Sequence, residues 1–250
     1  MTPSPAPAVP ASPLHSYDSV WIHGAGFAGD TWSAMTAALP RARTPDLPGH
    51  GAARPVVPPR VERFADRLAP EIGAGAILIG HSLGGMVALE LAARRAGPVS
   101  ALILIDSVPT VRDRLGGRLL GKIAEPVVHL LGPRGLAWIS GVGQAIPVKQ
   151  ELQRQLLRHD NRSLLAAIDA AMAYDGRPLL SGIHVPTLII VAQNSKATHA
   201  GSRLMARRIP RAEHAVLSGG HILHVDSPVR LRRRIDEFLR HKLPENQFDR

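Results

Sequence analysis

Between Ser19 and Ile105 the sequence alternates short apolar runs with stretches of helical spacing, and few folds accommodate that rhythm. The runs are Ser19–His23, Ala42–Thr44, Ala76–Ile79 and Ala101–Ile105, and the helical stretches are Trp32–Leu39, Val61–Ile72 and Gly85–Arg95. Runs such as Ala101-Leu102-Ile103-Leu104-Ile105 are too short for a free helix and too uniformly apolar for a half-exposed strand. They predict a mostly parallel sheet covered by helices on both faces. After Asp106 the rhythm stops, and Leu119–Leu131, Leu136–Ile146, Gln150–Arg158 and Ser163–Ala173 all have helical spacing. It resumes with strand Thr187–Ala192, helix Ala200–Arg208, strand His214–Leu217 and helix Pro228–Arg240. The simplest organisation is one α/β domain, residues 18–106 and 183–242, carrying a helical insertion at 107–182. Residues 1–17 hold five prolines among Ala and Ser and predict a flexible tail.

The 250 residues include no cysteine, which excludes disulfide scaffolds, thiolate zinc sites, iron–sulfur clusters and a cysteine nucleophile. No apolar run approaches the roughly 18 residues of a membrane span, and the N-terminus lacks a signal-peptide pattern. The expected location is the cytoplasm, with no membrane partner. Thirty Lys+Arg against 20 Asp+Glu give a net charge of +10. All but four of the basic residues are Arg, which suits a compositional bias, and 4% aromatic residues leave few platforms for stacking nucleic-acid bases. Nucleic acid is therefore not an expected partner. The charge at most favours an acidic small-molecule substrate, and no pattern points to an oligomeric state.

The sharpest chemical signal is Gly80-His81-Ser82-Leu83-Gly84, directly after an apolar strand run and directly before a helix. Chemistry at this spacing needs a tight turn in which two glycines avoid clashes while a hydroxyl stands above the sheet edge, with helix N–H groups behind it. An idle serine in an ordinary tight turn is the plainer account of the same string. A serine becomes a nucleophile only with a base to take its proton. Of twelve histidines, His221 stands out: it follows Ser218-Gly219-Gly220 just past the last strand run, at the sheet edge where Ser82 also lies. His224 shares that loop as the second candidate. Gly24-Ala25-Gly26-Phe27-Ala28-Gly29, with Asp46 further on, matches a dinucleotide-binding fingerprint. That reading leaves the serine turn and the Gly-Gly-His loop unexplained. No P-loop is present, and the His221/His224 pair is a weak metal pattern, so neither cofactor nor metal is expected.

Taken together, these residues resemble the α/β-hydrolase fold family, in its small-esterase and C–C-hydrolase-like branch, from about Val20 to Leu239. The resemblance rests on His23-Gly24-Ala25-Gly26, Asp46-Leu47-Pro48-Gly49-His50-Gly51, the turn at Ser82, Pro186-Thr187-Leu188-Ile189-Ile190, and Gly219-Gly220-His221 followed by Pro228. It implies Ser82 as nucleophile, His221 as general base and the N–H groups of Ala25 and Leu83 as an oxyanion hole. It also implies a helical lid at 107–182 and hydrolysis of an ester, thioester or lactone without a cofactor. A lyase, cyclase or cofactor-free oxygenase of the same fold, and a binding protein that keeps the fold without turnover, are the alternatives.

Two departures from the family pattern matter. The leading β-hairpin is replaced by the Pro-rich tail, so it is abbreviated or absent. The family's usual triad acid follows the Thr187–Ala192 strand, where this chain reads Gln193-Asn194-Ser195-Lys196. Asp106, at the end of the strand next to the serine turn, is the leading candidate for the acid. A Ser–His pair polarised by Asn194 or Ser195, and another carboxylate such as Asp226, remain alternatives. In the insertion, Leu119, Leu120, Val127, Leu131, Trp138 and Ile146 either line a substrate pocket or fill the insertion's own core.

Overall fold

The computed structural model describes residues 12–94, 99–112 and 115–244, with side chains described outside 115–122. Strand β1 (Ser19–Ile22) leads through a tight turn to α1 (Ser33–Thr36) and the edge strand β2 (Ala42–Arg43). Helix α2 (Val61–Leu68), β3 (Ile77–His81), α3 (Leu83–Ala93) and β4 (Ala101–Ile105) follow. Three helices then interrupt the alternation: α4 (Leu115–Ser140), α5 (Ile146–Leu156) and α6 (Asn161–Ala173). Strand β5 (Thr187–Ala192), α7 (His199–Arg208), β6 (Ala212–Leu217), α8 (Leu223–Asp226) and α9 (Pro228–Lys242) complete the fold.

The sheet order is β2-β1-β3-β4-β5-β6, and every neighbouring pair is parallel. Successive side chains of a strand point to opposite faces, and here both faces are covered. Ile22, Leu78, Leu104 and Ile189 pack into one layer with Phe64, Val87 and Met205 of α2, α3 and α7. Trp21, Ile79, Ile103 and Ile190 pack into the other with Trp32 and with Leu231, Ile235 and Phe238 of α9. This two-sided burial is why the central runs, Ile77–Ile79, Ala101–Ile105 and Leu188–Ala192, are apolar without alternation. The chain runs from β1 outward to β2 and then returns past β1 to β3, so the direction of winding reverses between β1 and β3. That reversal opens a crevice at the carboxyl ends of the strands.

The N-terminal expectation needs correcting where it is described. Pro13–His15 form a 3₁₀ turn capped by Ser12, with Leu14 fully buried. Ser12 Oγ donates to Asp236 Oδ1 at 2.5 Å and Tyr17 Oη to the Pro244 carbonyl at 3.0 Å. Proline at the start of a short helical turn costs nothing, because its missing N–H would be unpaired there anyway. One buried leucine then anchors the segment to the α9 layer. Residues 1–11 of the expected tail, Arg95, and the side chains of Leu119 and Leu120 lie outside the described residues.

Within the insertion, α4 breaks at Gly132 (φ 59°, ψ −178°) next to Pro133, separating the two stretches that the spacing predicts. Ile146 opens α5 rather than closing the helix before it, since Gly143 (φ 73°) ends the turn and Pro147 suits a first helical turn. Val128, Ala137, Val148, Leu152 and Leu164 of the insertion form a third apolar cluster with Phe27 and Ile222 of the core loops.

Candidate active site

Ser82 joins β3 to α3 with φ 51° and ψ −117°, a left-handed conformation that costs energy for any residue but glycine. The flanking glycines make the turn possible. A Cβ on Gly80 would sit 2.3 Å from the Gly84 carbonyl oxygen, and one on Gly84 2.3 Å from that of Ile22. Ser82 N–H donates to the Ile105 carbonyl at 3.0 Å and Ser107 Oγ to the Ser82 carbonyl at 2.7 Å, so the strained residue is pinned on both sides.

At the end of β4, Asp106 also adopts a positive φ, 45°, and its side chain is fully buried. Oδ1 accepts from Thr198 Oγ1 at 2.7 Å and from Ala192 N–H at 3.1 Å, and Oδ2 lies 2.5 Å from His221 Nδ1. Burial pushes this carboxyl up, but the hydrogen bond and charge of His221, with the Ser195 and Thr198 hydroxyls, more than reverse that effect. The result is an acid held below the ordinary carboxylate range.

His221 is carried by the loop after β6. Gly219, at φ 138°, lets the chain reverse, and Asp226 Oδ2 accepts the Gly220 N–H at 2.5 Å. His81 Nε2–H donates to the His221 carbonyl at 2.9 Å, tying the backbone of His221 to the serine turn. With Nδ1–H directed at Asp106, Nε2 is the basic nitrogen. Ser82 and His221 line one cavity of about 250 Å³, walled by Phe27, Leu152, Leu156 and Ile222; among the described residues no Asp, Glu, Lys or Arg lines it. Among the described residues no hydrogen bond joins the Ser82 hydroxyl to His221. Such contacts are often long until a substrate is held.

The N–H groups of Ala25 and Leu83 face no acceptor among the described residues. The turn carrying Ala25 is built on two neutral imidazoles. His23 Nε2 accepts the Leu47 N–H at 2.9 Å while its Nδ1–H donates to the Gly24 carbonyl at 2.8 Å; His50 Nε2 accepts the Gly26 N–H at 3.3 Å. Burial pushes His23 down to about 4 and His50 to about 3, so both remain acceptors at neutral pH. Asp46 accepts the Gly29 N–H at 2.7 Å and the Ala52 N–H at 2.8 Å. Its carboxylate is spent on this turn, where a dinucleotide site would need it for a ribose.

The other sequence candidates fall into supporting places. His224 is buried against Trp32 with ring centroids 4.4 Å apart, bonded to Thr31 Oγ1 at 2.9 Å, and pushed by burial down to about 3. Asp226 braces the His221 loop, and Asn194 does so through its N–H to the Gly219 carbonyl at 3.1 Å. Ser195 Oγ stands 3.5 Å from His221 Nδ1, too far for a strong hydrogen bond. Trp138 and Ile146 are exposed on the insertion, and Val127 and Leu131 are half-buried outside the cavity. Leu152 and Leu156, not singled out from the sequence, form its wall. Sequence reasoning missed Thr198, and it quoted His23 and His50 only within their glycine-rich motifs, without the hydrogen-bonding part they play. Among the described residues no cluster of His, Asp or Glu is arranged to hold a metal ion, and no helix is long and apolar enough to cross a membrane.

A sequence model of the Alpha/beta hydrolase family matches residues 20–234. The pimeloyl-[acyl-carrier protein] methyl ester esterase of Neisseria meningitidis is 33% identical over 196 residues, 68% of this chain and 71% of that protein. The protein of the same name from Aromatoleum aromaticum is 46% identical over 95 residues, an alignment spanning 37% of this chain and 38% of that one. A thermophilic esterase from Thermogutta terrifontis superposes with a TM-score of 0.79 at 24% identity, covering 91% of each chain, a likeness of fold.

Proposed function

The chain belongs to the alpha/beta hydrolase family, and from that premise we propose that it hydrolyses a carboxylic ester with Ser82 as nucleophile, His221 as general base and Asp106 as the acid that orients it. The observation that carries this reading is the 2.5 Å contact between Asp106 Oδ2 and His221 Nδ1. Ser82 Oγ attacks the ester carbonyl while His221 Nε2 takes its proton. The buried Asp106 carboxylate stabilises the imidazolium, and the Ala25 and Leu83 N–H groups receive the oxyanion. Collapse expels the alcohol, which takes the proton from His221. Water, deprotonated in turn by His221, attacks the acyl-serine carbonyl, and its proton returns to Ser82 as the acid leaves.

The relatives' names suggest the substrate: a methyl ester at the end of an acyl chain carried by acyl-carrier protein. Among the described residues no charged side chain lines the cavity to offer an acidic group a counter-charge, whereas a neutral ester on a polymethylene chain fits the apolar walls of Phe27, Leu152, Leu156 and Ile222. The net charge of +10 is then available to the carrier outside. Helices α4–α6 act as the lid, roofing the cavity through Leu152 and Leu156. The test is release of methanol and free acid from a methyl-esterified acyl chain, presented free and on the carrier. Turnover of the ester, faster on the carrier and reduced at least about 10³-fold by Ser82→Ala, is expected. Failure to hydrolyse any ester, or full turnover by Ser82→Ala, contradicts the reading.

A further inference from the structure

Helix α5 meets the turn that carries the Ala25 N–H through one fully buried amide, Gln155. Its Oε1 accepts the Ala28 N–H at 3.0 Å, and its Nε2 donates to Asp30 Oδ1 at 2.8 Å and to Glu151 Oε1 at 2.9 Å. Both amide protons are therefore used, which fixes the side chain's orientation. The same helix presses on the turn directly, because a Cβ on Gly26 would lie 2.7 Å from Leu156 Cδ2. Thr31 Oγ1 extends the network, touching Glu151 Oε1 at 2.8 Å and His224 Nε2 at 2.9 Å. Asp30 also pairs with Arg154 and Arg158, but these three side chains are about half exposed and such pairs contribute little. The buried amide is the specific link between insertion and turn.

We propose that Gln155 is a positioning residue for ester hydrolysis: by fixing Ala28 and Asp30 it sets the attitude of the 24–31 turn, and with it the aim of the Ala25 N–H at the developing oxyanion. The proposal rests on the serine-hydrolase reading above. An oxyanion donor acts by being aimed in advance, and a misplacement of about 1 Å costs on the order of 10²-fold in rate. The insertion is then part of the catalytic apparatus, because its helix α5 supplies the brace.

The test compares kcat, KM and the pH profile for a methyl ester in the native protein, Gln155→Leu and Gln155→Glu, with Ser82→Ala as control. Gln155→Leu, which keeps the bulk and removes the hydrogen bonds, should lower kcat about 10- to 100-fold and leave KM within about threefold. In Gln155→Glu a protonated carboxyl can still accept from Ala28 and donate to Asp30, whereas the ionised form faces Asp30 and Glu151. The ratio of its kcat to that of the native protein should therefore rise as pH falls. Unchanged kcat in Gln155→Leu, or a Gln155→Glu ratio that does not vary with pH, overturns the proposal. The second readout lies within one folded variant and holds even if Gln155→Leu does not fold. Native turnover by Ser82→Ala instead removes the serine chemistry itself, and this role with it.

Discussion

The buried Asp106 carboxylate illustrates how much local support a single charged residue needs. Its side chain is wholly out of contact with solvent, and an ionised carboxylate survives there because Thr198 and the Ala192 N–H donate to one oxygen and His221 to the other. Because β4 lies between β3 and β5, a residue at its end faces both the serine turn and the loop after β5. The imidazole can therefore be held from that side without displacing Ser82. Asp106→Asn should lower ester turnover by about 10³-fold or more, through loss of the tautomer and of imidazolium stabilisation. Ser195 offers a check on the geometry, since its Oγ is already 3.5 Å from His221 Nδ1. A carboxylate one bond longer reaches the ring, so adding Ser195→Asp to Asp106→Asn should recover at least about tenfold of the loss. Steady-state kinetics of the single and double variants measure both effects, and no recovery would mean that position 195 does not address the imidazole.

At the scale of elements, the site is a junction of four turns at the carboxyl ends of β1, β3, β4 and β6. The β1 and β3 turns meet through backbone contacts too close for extra atoms. In Gly84→Ala the new methyl would lie 2.3 and 2.4 Å from the carbonyl oxygens of Ile22 and His23, so β1 and the serine turn must move apart. A stability loss of about 1–3 kcal/mol in urea denaturation is expected, with activity falling further than stability does. An unchanged unfolding midpoint would contradict this close approach. The same contacts explain what the sequence revealed. Central strands buried on both faces show as apolar runs, and a strained serine leaves its glycines in the text, so the sheet, the Ser82 turn and the His221 loop at its edge were legible as structure, while the catalytic roles given to the two residues are proposals. Asp106 was legible only as one option, because Ser195 stands where the family's usual acid is expected. Leu14 was masked by its prolines, and Ile146 was assigned to the wrong helix because apolar spacing runs straight through the Gly143 turn. His23, His50, Thr198 and Gln155 act across long sequence separations, through side-chain hydrogen bonds that leave no periodic pattern.

Across the whole molecule, burial pushes His23, His50, His81, His159 and His224 below the usual imidazole range, with His23 at about 4 and His50 and His224 at about 3. The unfolded chain protonates these rings from about pH 6.5 downward and the folded chain does not until lower pH, so unfolding takes up protons across that window. Stability is complete above about pH 6.5 and falls as pH drops toward 4, by on the order of 3 kcal/mol for a group shifted as far as His23. Urea midpoints that fall steeply from pH 7 to 4.5 would bear this out, and midpoints that stay level would show that the rings are accessible to protons in the folded state. These buried imidazoles cluster beside the turns at the sheet edge, where Ser82 is the proposed nucleophile. A fluorophosphonate probe addresses that serine directly, because only a hydroxyl with a base beside it and an oxyanion site in front reacts quickly. The account predicts one adduct per chain, found by mass spectrometry on the peptide containing Ser82, absent from Ser82→Ala and formed at least about 10³-fold more slowly in Asp106→Asn. Labelling of another residue, or no labelling between pH 6 and 9, would contradict it.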